Sequence, residues 1–340
     1  MIVDRISMEQ AALVRLATDL ARQRAKERAS ILSIYLVGSV AAGERPLGEA
    51  TDLDLVLIDG DPPAQRRELV PLSDGLVADL QTHSRDDYRN PKALRVDPWR
   101  GPEMCEPVFL YDPLHFFELA QASARGQFHR PDHVFARARA FLERARADFR
   151  VSAFAPGPVP SAPLSLAAFC QGLWNAANAV ITLTGFPGGA RRLLLKLEAA
   201  DARLGRPGLY DGFLEVFDIG KVDAAEASRW VAAWAETYRA AQTETDELLH
   251  PARLPIYERG FRAQIESDRA ADLVWLLLYT WQAAMRRLPT NSPAAAPYAE
   301  FLARLGLSDA RGFQTRIQAA LALAHRCELT IANWGRHNGA

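Results

Sequence analysis

Three aspartates set on apolar runs are the residues of this chain best suited to chemistry. Asp52 and Asp54 stand two apart in Asp52-Leu53-Asp54-Leu55-Val56-Leu57-Ile58. Residues two apart on a strand leave the same face, so both carboxylates project together while Leu53 and Leu55 leave the other. Side-by-side carboxylates repel, and a divalent cation resolves the repulsion; hard oxygen donors select Mg²⁺ or Mn²⁺. Asp79 interrupts a third apolar run, Leu76-Val77-Ala78-Asp79-Leu80-Gln81, and shares a face with Gln81 and His83. If its strand lies beside that of Asp52 and Asp54, three carboxylates converge on one centre. Gly38-Ser39 precedes Asp52 with twelve residues between. Glycine lets the backbone approach a ligand closely, and exposed N–H groups beside a small hydroxyl can hold polyphosphate oxygens. Such a turn with three acids suits two-metal phosphoryl or nucleotidyl transfer.

The elements that must position these residues are legible around them. Ser7 with Gln10 forms a capping box for a helix running to about Arg28, with Ile6, Leu13, Leu16 and Leu20 at helical spacing. Four apolar runs read as strands: Ile31–Val37, Leu53–Ile58, Gly75–Gln81 and Pro107–Tyr111, with a helix expected over 63–72. Helices near 114–124 and 132–149 follow, so residues 1–150 read as a small mixed sheet with helices. Residues 155–163 hold four prolines and one glycine and read as a stiff linker, set at 151–163. From 164 to 340 the pattern is helical, near 165–184, 190–204, 209–218, 224–248, 268–287, 295–305 and 308–333. The fold class expected is α+β, a mixed-sheet domain followed by an all-α bundle.

Composition narrows the field. The chain has 340 residues, with 49% hydrophobic and 24% charged, which is ordinary globular material. Forty Lys+Arg against 41 Asp+Glu give a net charge of −1, arguing against a nucleic-acid-coating protein. The three cysteines, Cys105, Cys170 and Cys327, are far apart and lack metal-ligand spacing, which suits a reduced, cytoplasmic setting. The N-terminus carries acids early and lacks the apolar core of an export signal. The longest uncharged apolar stretch is read as Leu273–Met285, at 13 residues below the roughly 18 that span a bilayer.

The pattern Leu36-Val37-Gly38-Ser39, then Thr51-Asp52-Leu53-Asp54-Leu55-Val56, with a later strand-borne acid, resembles the DNA polymerase beta-type nucleotidyltransferase superfamily. With its helical partner domain the chain is most similar to the aminoglycoside nucleotidyltransferase branch. The motif covers residues 31–83, and a looser likeness reaches the helix 165–184, whose Ala179–Gly185 end resembles the first helix of such second domains. The resemblance implies Gly38 and Ser39 at the triphosphate, Asp52 and Asp54 on Mg²⁺, and Asp79 as third ligand or general base. It implies two Mg²⁺ ions, with Mn²⁺ as a substitute, and transfer of AMP from ATP, or of another nucleoside monophosphate, to the hydroxyl of a small molecule. Two departures stand out. The gap from Ser39 to Asp52 is longer than usual, with 44–49 read as a protruding loop, and Thr51 stands where Ser is usual.

Further candidates lie in the helical half. Arg192 and Lys196, four apart, and Lys221 could meet phosphates across a cleft between the domains, although solvated ion-paired faces are commoner. Glu198 could activate an acceptor hydroxyl. An acidic surface from Glu198, Asp201, Asp211 and Glu215 would suit a polycationic acceptor. Trp230, Trp234 and Tyr238, like Trp275 and Trp281, read as core, while Asn175 and Asn178 either line a cleft or satisfy buried backbone. His83 reads as a surface histidine by default. Helical partners of such domains sometimes carry a ribonuclease motif, Arg then His after four to six residues, and none of the seven histidines has that spacing. The alternatives to small-molecule transfer are protein AMPylation, or a non-catalytic nucleotide sensor on the same fold; nucleic acid and membrane are not expected partners.

Overall fold

The computed structural model describes residues 9–63, 65–154, 163–205 and 208–340. Its contacts divide the chain into two compact units, one of Met1–His129 with Pro255–Gly260, the other of Arg130–Leu254 with Phe261–Ala340. The expected cap at Ser7 and the proline-rich segment 155–162 lie outside the described residues.

The first unit runs through helix α1 (Gln10–Glu27), strand β1 (Ile31–Val37), the short helix α2 (Gly38–Ala41), β2 (Thr51–Asp59), β3 (Arg67–Ser73), β4 (Leu76–Ser84), short helices α3 (Pro91–Val96) and α4 (Arg100–Glu103), β5 (Val108–Tyr111) and α5 (Phe116–Arg125). The five strands lie in the order β3-β4-β2-β1-β5. β2 and β4 run parallel and the other neighbours antiparallel, so the sheet is mixed.

Alternation along the strands builds two apolar layers. Leu53, Leu55 and Leu57 of β2 join Ile34 and Leu36 of β1, Ala78 and Leu80 of β4, and Leu13, Ala17 and Ala21 of α1. A register shift between Ile31 and Ser33 brings Ile31 into that same layer. Val56 and Ile58 leave the opposite face and pack with Tyr35, Val37, Tyr88, Leu94, Met104 and Phe117. Asp52 and Asp54 share parity with Val56 and Ile58, so they extend this second face at the start of β2.

The helix expected over 63–72 is not formed where the residues are described: Arg67–Ser73 is strand β3. Tertiary pairing decides the matter. β3 turns back onto β4 through Asp74 and Gly75, whose φ of +79° favours glycine, and Leu69 is buried against the sheet. Pro71 lacks a ladder donor, which an edge strand tolerates. Residues 44–49, expected to protrude, include a tight reversal in which Leu47 bridges Ala50 across Gly48 and Glu49, both at positive φ.

The rest of the chain is helical, with α6 (Pro131–Phe154), α7 (Pro163–Ile181), α8 (Leu193–Leu204), α9 (Leu209–Glu215), α10 (Ala224–Ala241), α11 (Leu254–Glu266, of which Pro255–Gly260 counts with the first unit), α12 (Leu273–Met285), α13 (Ala295–Arg304) and α14 (Ala310–Asn338). α6 packs mainly on α7 and α14, which is why the contact boundary falls at Arg130 and not at 150. The sequence pattern sets no helix between 248 and 268, yet α11 forms there, its Pro255 in the first turn, where the missing N–H costs nothing. Trp234, Trp275 and Trp281 are core, their indole N–H groups donating to Thr280 Oγ1, the Cys170 carbonyl and Thr237 Oγ1 at 2.9, 3.1 and 3.1 Å. By length and composition the window Leu164–Ile181 is apolar enough to cross a membrane, a longer candidate than 273–285; 72% of it is buried within the protein.

Candidate metal centre

The parallel pairing of β2 and β4 sets Asp54 directly beside Asp79, with Asp52 beside Val77. Aligned residues on neighbouring strands share a face at roughly 5 Å, so the register alone gathers the carboxylates. Ligand oxygens of Asp52, Asp54 and Asp79 all lie within 4.8 Å of one another. Asp79 is buried, at 1% exposure, while Asp52 and Asp54 are half-buried. Two unit charges at such a distance repel by about 3–4 kcal/mol at an effective dielectric of about 20. A cluster of this kind needs cations.

One cation is in place. Arg67 on β3 donates from Nε to Asp79 Oδ1 and from Nη2 to Asp79 Oδ2, both at 2.7 Å. This forked geometry is the strong form of the arginine–carboxylate pair. It balances one of the three acids and fixes the plane of the Asp79 carboxylate. The sequence reading missed Arg67 because a helix over 63–72 hid its place on an edge strand.

Gly38 and Ser39 follow β1 directly and open α2. Gly38 has φ +73°, and a Cβ built on it would meet Asp54 Oδ2 at 2.0 Å. The glycine is therefore what lets the Asp54 carboxylate lie against the turn. Gly38→Ala is expected to cost about 1–2 kcal/mol of backbone strain and, by pushing the Asp54 carboxylate aside, to weaken divalent-cation binding. Denaturant melts and a Mg²⁺ titration check this; unchanged metal affinity would show that the contact does not position Asp54.

Farther along the same face, His83 departs from the surface residue expected. Its Nδ1 lies 2.7 Å from the Tyr88 hydroxyl, which lies 2.6 Å from the hydroxyl of Tyr35. Burial, aided by the Arg100 guanidinium, pushes the imidazole down to about 4. Glu103 feels the charge of Arg67 as well as Arg100; its Oε2 is buried without a hydrogen-bond partner, and burial pushes the carboxyl up to about 7. Burial likewise raises both tyrosine hydroxyls.

These two shifts have opposite consequences. A raised carboxyl holds its proton more tightly in the folded chain, so its stabilisation is present at low pH and is lost as pH climbs towards 7. A lowered imidazole is the reverse, its stabilisation being present above its ordinary 6.5 and lost as pH falls towards 4. Glu103→Gln is therefore expected to make stability climb more steeply with pH than in the wild type, between about pH 5 and about pH 7. Parallel profiles for the two proteins would show that Glu103 is not held protonated.

The remaining candidates belong to the second unit. Arg192 ends a short turn before α8, with a non-helical backbone, and Lys196 lies in the first turn of α8, so the two do not share one helix. Lys221 is exposed between α9 and α10. Glu198 is ion-paired to Arg269 Nη1 at 2.8 Å, and Arg269 also holds Asp272. Asp201 is removed from the acidic surface imagined for it: buried at 6% exposure, its Oδ2 accepts from the amides of Gly208, Leu209 and Tyr210 and caps α9. Glu215 faces Arg326 at 3.6 Å, whereas Asp211 is exposed. Asn175 donates to half-buried Asp148, and Asn178 satisfies the buried backbone of Gly188. The structure thus gathers Gly38, Asp52, Asp54 and Asp79 at one centre, with Ser39 adjoining in the chain, and sets the Glu198 and Asp201 carboxylates in local networks of the helical unit. No protein-family model matches the chain, and a search of curated proteins likewise finds no match.

Proposed function

We propose that the first unit is a nucleotidyltransferase-type catalytic domain and that the chain transfers a nucleoside monophosphate, AMP from ATP being the favoured case, to a hydroxyl of a small molecule. The observation that carries this reading is the convergence of Asp52, Asp54 and Asp79 within 4.8 Å on one face, with Gly38 packed against Asp54. The donor set fits Mg²⁺ or Mn²⁺, being all hard oxygen. When bound there, such ions supply charge neutralisation at the phosphates and a template for in-line displacement.

The chain's own groups account for the rest. The backbone at Gly38 and Ser39 receives the β- and γ-phosphates. Arg67 holds the Asp79 carboxylate in a fixed orientation on the buried side of the centre. The acceptor oxygen forms a bond to the α-phosphorus as the α–β phosphoanhydride bond breaks, pyrophosphate departs, and the acceptor proton passes to a carboxylate of the centre, Asp79.

Incubation with α-labelled ATP and Mg²⁺, offering aminoglycosides and separated small-molecule and protein fractions of a cell extract, tests this reading. Label on a small molecule, lost in Asp54→Asn, is the expected result. Label on protein would replace it with AMPylation, and bound ATP without any transfer would replace it with a nucleotide sensor.

A further inference from the structure

A second set of ligating side chains, of different chemistry and carried by other elements than the aspartates, lies in the first unit. The turn after α4 carries Cys105, buried at 2% exposure, and Glu106, exposed. His129 follows α5, exposed, its ring held edge-on to buried Phe128 with centroids 5.0 Å apart. Cys105 Sγ stands 3.5 Å from His129 Nε2. One ligand atom from each of Cys105, Glu106 and His129 lies within 4.8 Å of the others. The sequence alone gave no sign of this, since His129 comes 24 residues after Cys105 and the chain must fold to join them.

We infer that Cys105, Glu106 and His129 form a zinc site. Zn–S of about 2.3 Å and Zn–N of about 2.0–2.1 Å at a tetrahedral angle place sulfur and nitrogen about 3.6 Å apart. The observed 3.5 Å matches without movement of either side chain. A thiol–imidazole hydrogen bond has a similar length, but it does not account for a carboxylate oxygen within 4.8 Å of both ligand atoms. The donor set also discriminates between metals. Thiolate with imidazole selects zinc over magnesium, whereas the three aspartates offer oxygen alone. The two centres therefore sort two cations.

Both ligand segments are held before any metal arrives. The Cys105 amide donates to the Pro102 carbonyl at 3.0 Å, and Arg95 ties the end of α5 through Gln127 Oε1 at 2.6 Å and the Ser123 carbonyl at 2.8 Å. Three protein ligands leave a fourth position for water, and the exposure of Glu106 and His129 gives the ion its entry path. On binding, the Cys105 thiol gives up its proton to solvent and the thiolate becomes the ligand. The site would clip the turn after α4 to the end of α5.

The test is metal titration of the chelator-stripped full chain, with Zn²⁺ against a chromophoric chelator and with Co²⁺ as optical probe. Wild type is expected to bind one tight equivalent of Zn²⁺ and to show a near-ultraviolet thiolate-to-cobalt charge-transfer band. Cys105→Ser should abolish that band. His129→Ala, at an exposed position that folding does not need, should weaken Zn²⁺ by at least about 10-fold, the scale seen even for outer-shell partners. Asp54→Asn should retain both signals, separating this centre from the aspartates and from the nucleotide reading. Absence of the band in the wild type, its survival in Cys105→Ser, or unchanged Zn²⁺ affinity in His129→Ala would overturn the assignment.

Discussion

Asp54→Asn is expected to lower nucleotidyl transfer by about 10³-fold while leaving the fold intact. Metal-based charge stabilisation is worth several kcal/mol of barrier, and 1.36 kcal/mol is a factor of ten, which sets that about 10³-fold scale. The substitution is isosteric, so it preserves the packing against Gly38 while neutralising one of three crowded carboxylates. The metal-free variant should therefore melt at or above the wild-type temperature. Bound metal stabilises the wild type by about 2.7 kcal/mol at a hundredfold excess over Kd, and that gain should vanish in the variant. Stability and activity thus move in opposite directions, which generic misfolding does not produce. Parallel melts and rate assays with and without Mg²⁺ read both effects, and a metal-free variant that melts well below wild type would contradict the account.

Arg67→Ala is the largest stability effect expected. Removing one partner of a buried ion pair leaves the other charge without compensation and costs about 3–5 kcal/mol. Asp79 is 1% exposed and accepts from both Nε and Nη2 of Arg67, so it cannot recover those two bonds from solvent. Two further results identify the cause. Adding Asp79→Asn to Arg67→Ala should restore much of the loss, because the uncompensated charge is then gone. Mg²⁺ should raise the melting temperature of Arg67→Ala by more than it raises the wild type's, since a cation at the centre takes over the role of the guanidinium. An equal Mg²⁺ shift in the two proteins would show that Asp79 does not face the metal position. Urea denaturation measures all three.

Much of this architecture was legible in the residues. The two-residue spacing of Asp52 and Asp54 fixed their common face, and the parity of Asp79 placed it correctly once its strand was known. What the sequence could not state was adjacency: the Asp54–Asp79 pairing depends on β4 crossing to lie parallel beside β2. Arg67 was hidden for a related reason. An edge strand is specified by its neighbour and not by its own pattern, and Pro71 broke what alternation it had. Charges on helices were visible but their partners were not, so Asp201 read as surface when it caps α9, and Glu198 read as a base when Arg269 holds it. The Cys105–His129 contact and the buried Glu103 are likewise tertiary products, invisible to periodicity.

The central claim is that Asp52, Asp54 and Asp79 form a divalent-cation centre that receives nucleotide. Titration of the wild-type chain with Mn²⁺ in the presence of ATP, followed by the loss of free-ion electron paramagnetic resonance signal, tests it without knowledge of the acceptor. Binding is predicted for the wild type, strongly weakened in both Asp54→Asn and Asp79→Asn. Equal Mn²⁺ uptake by all three proteins, or none by the wild type, would contradict it.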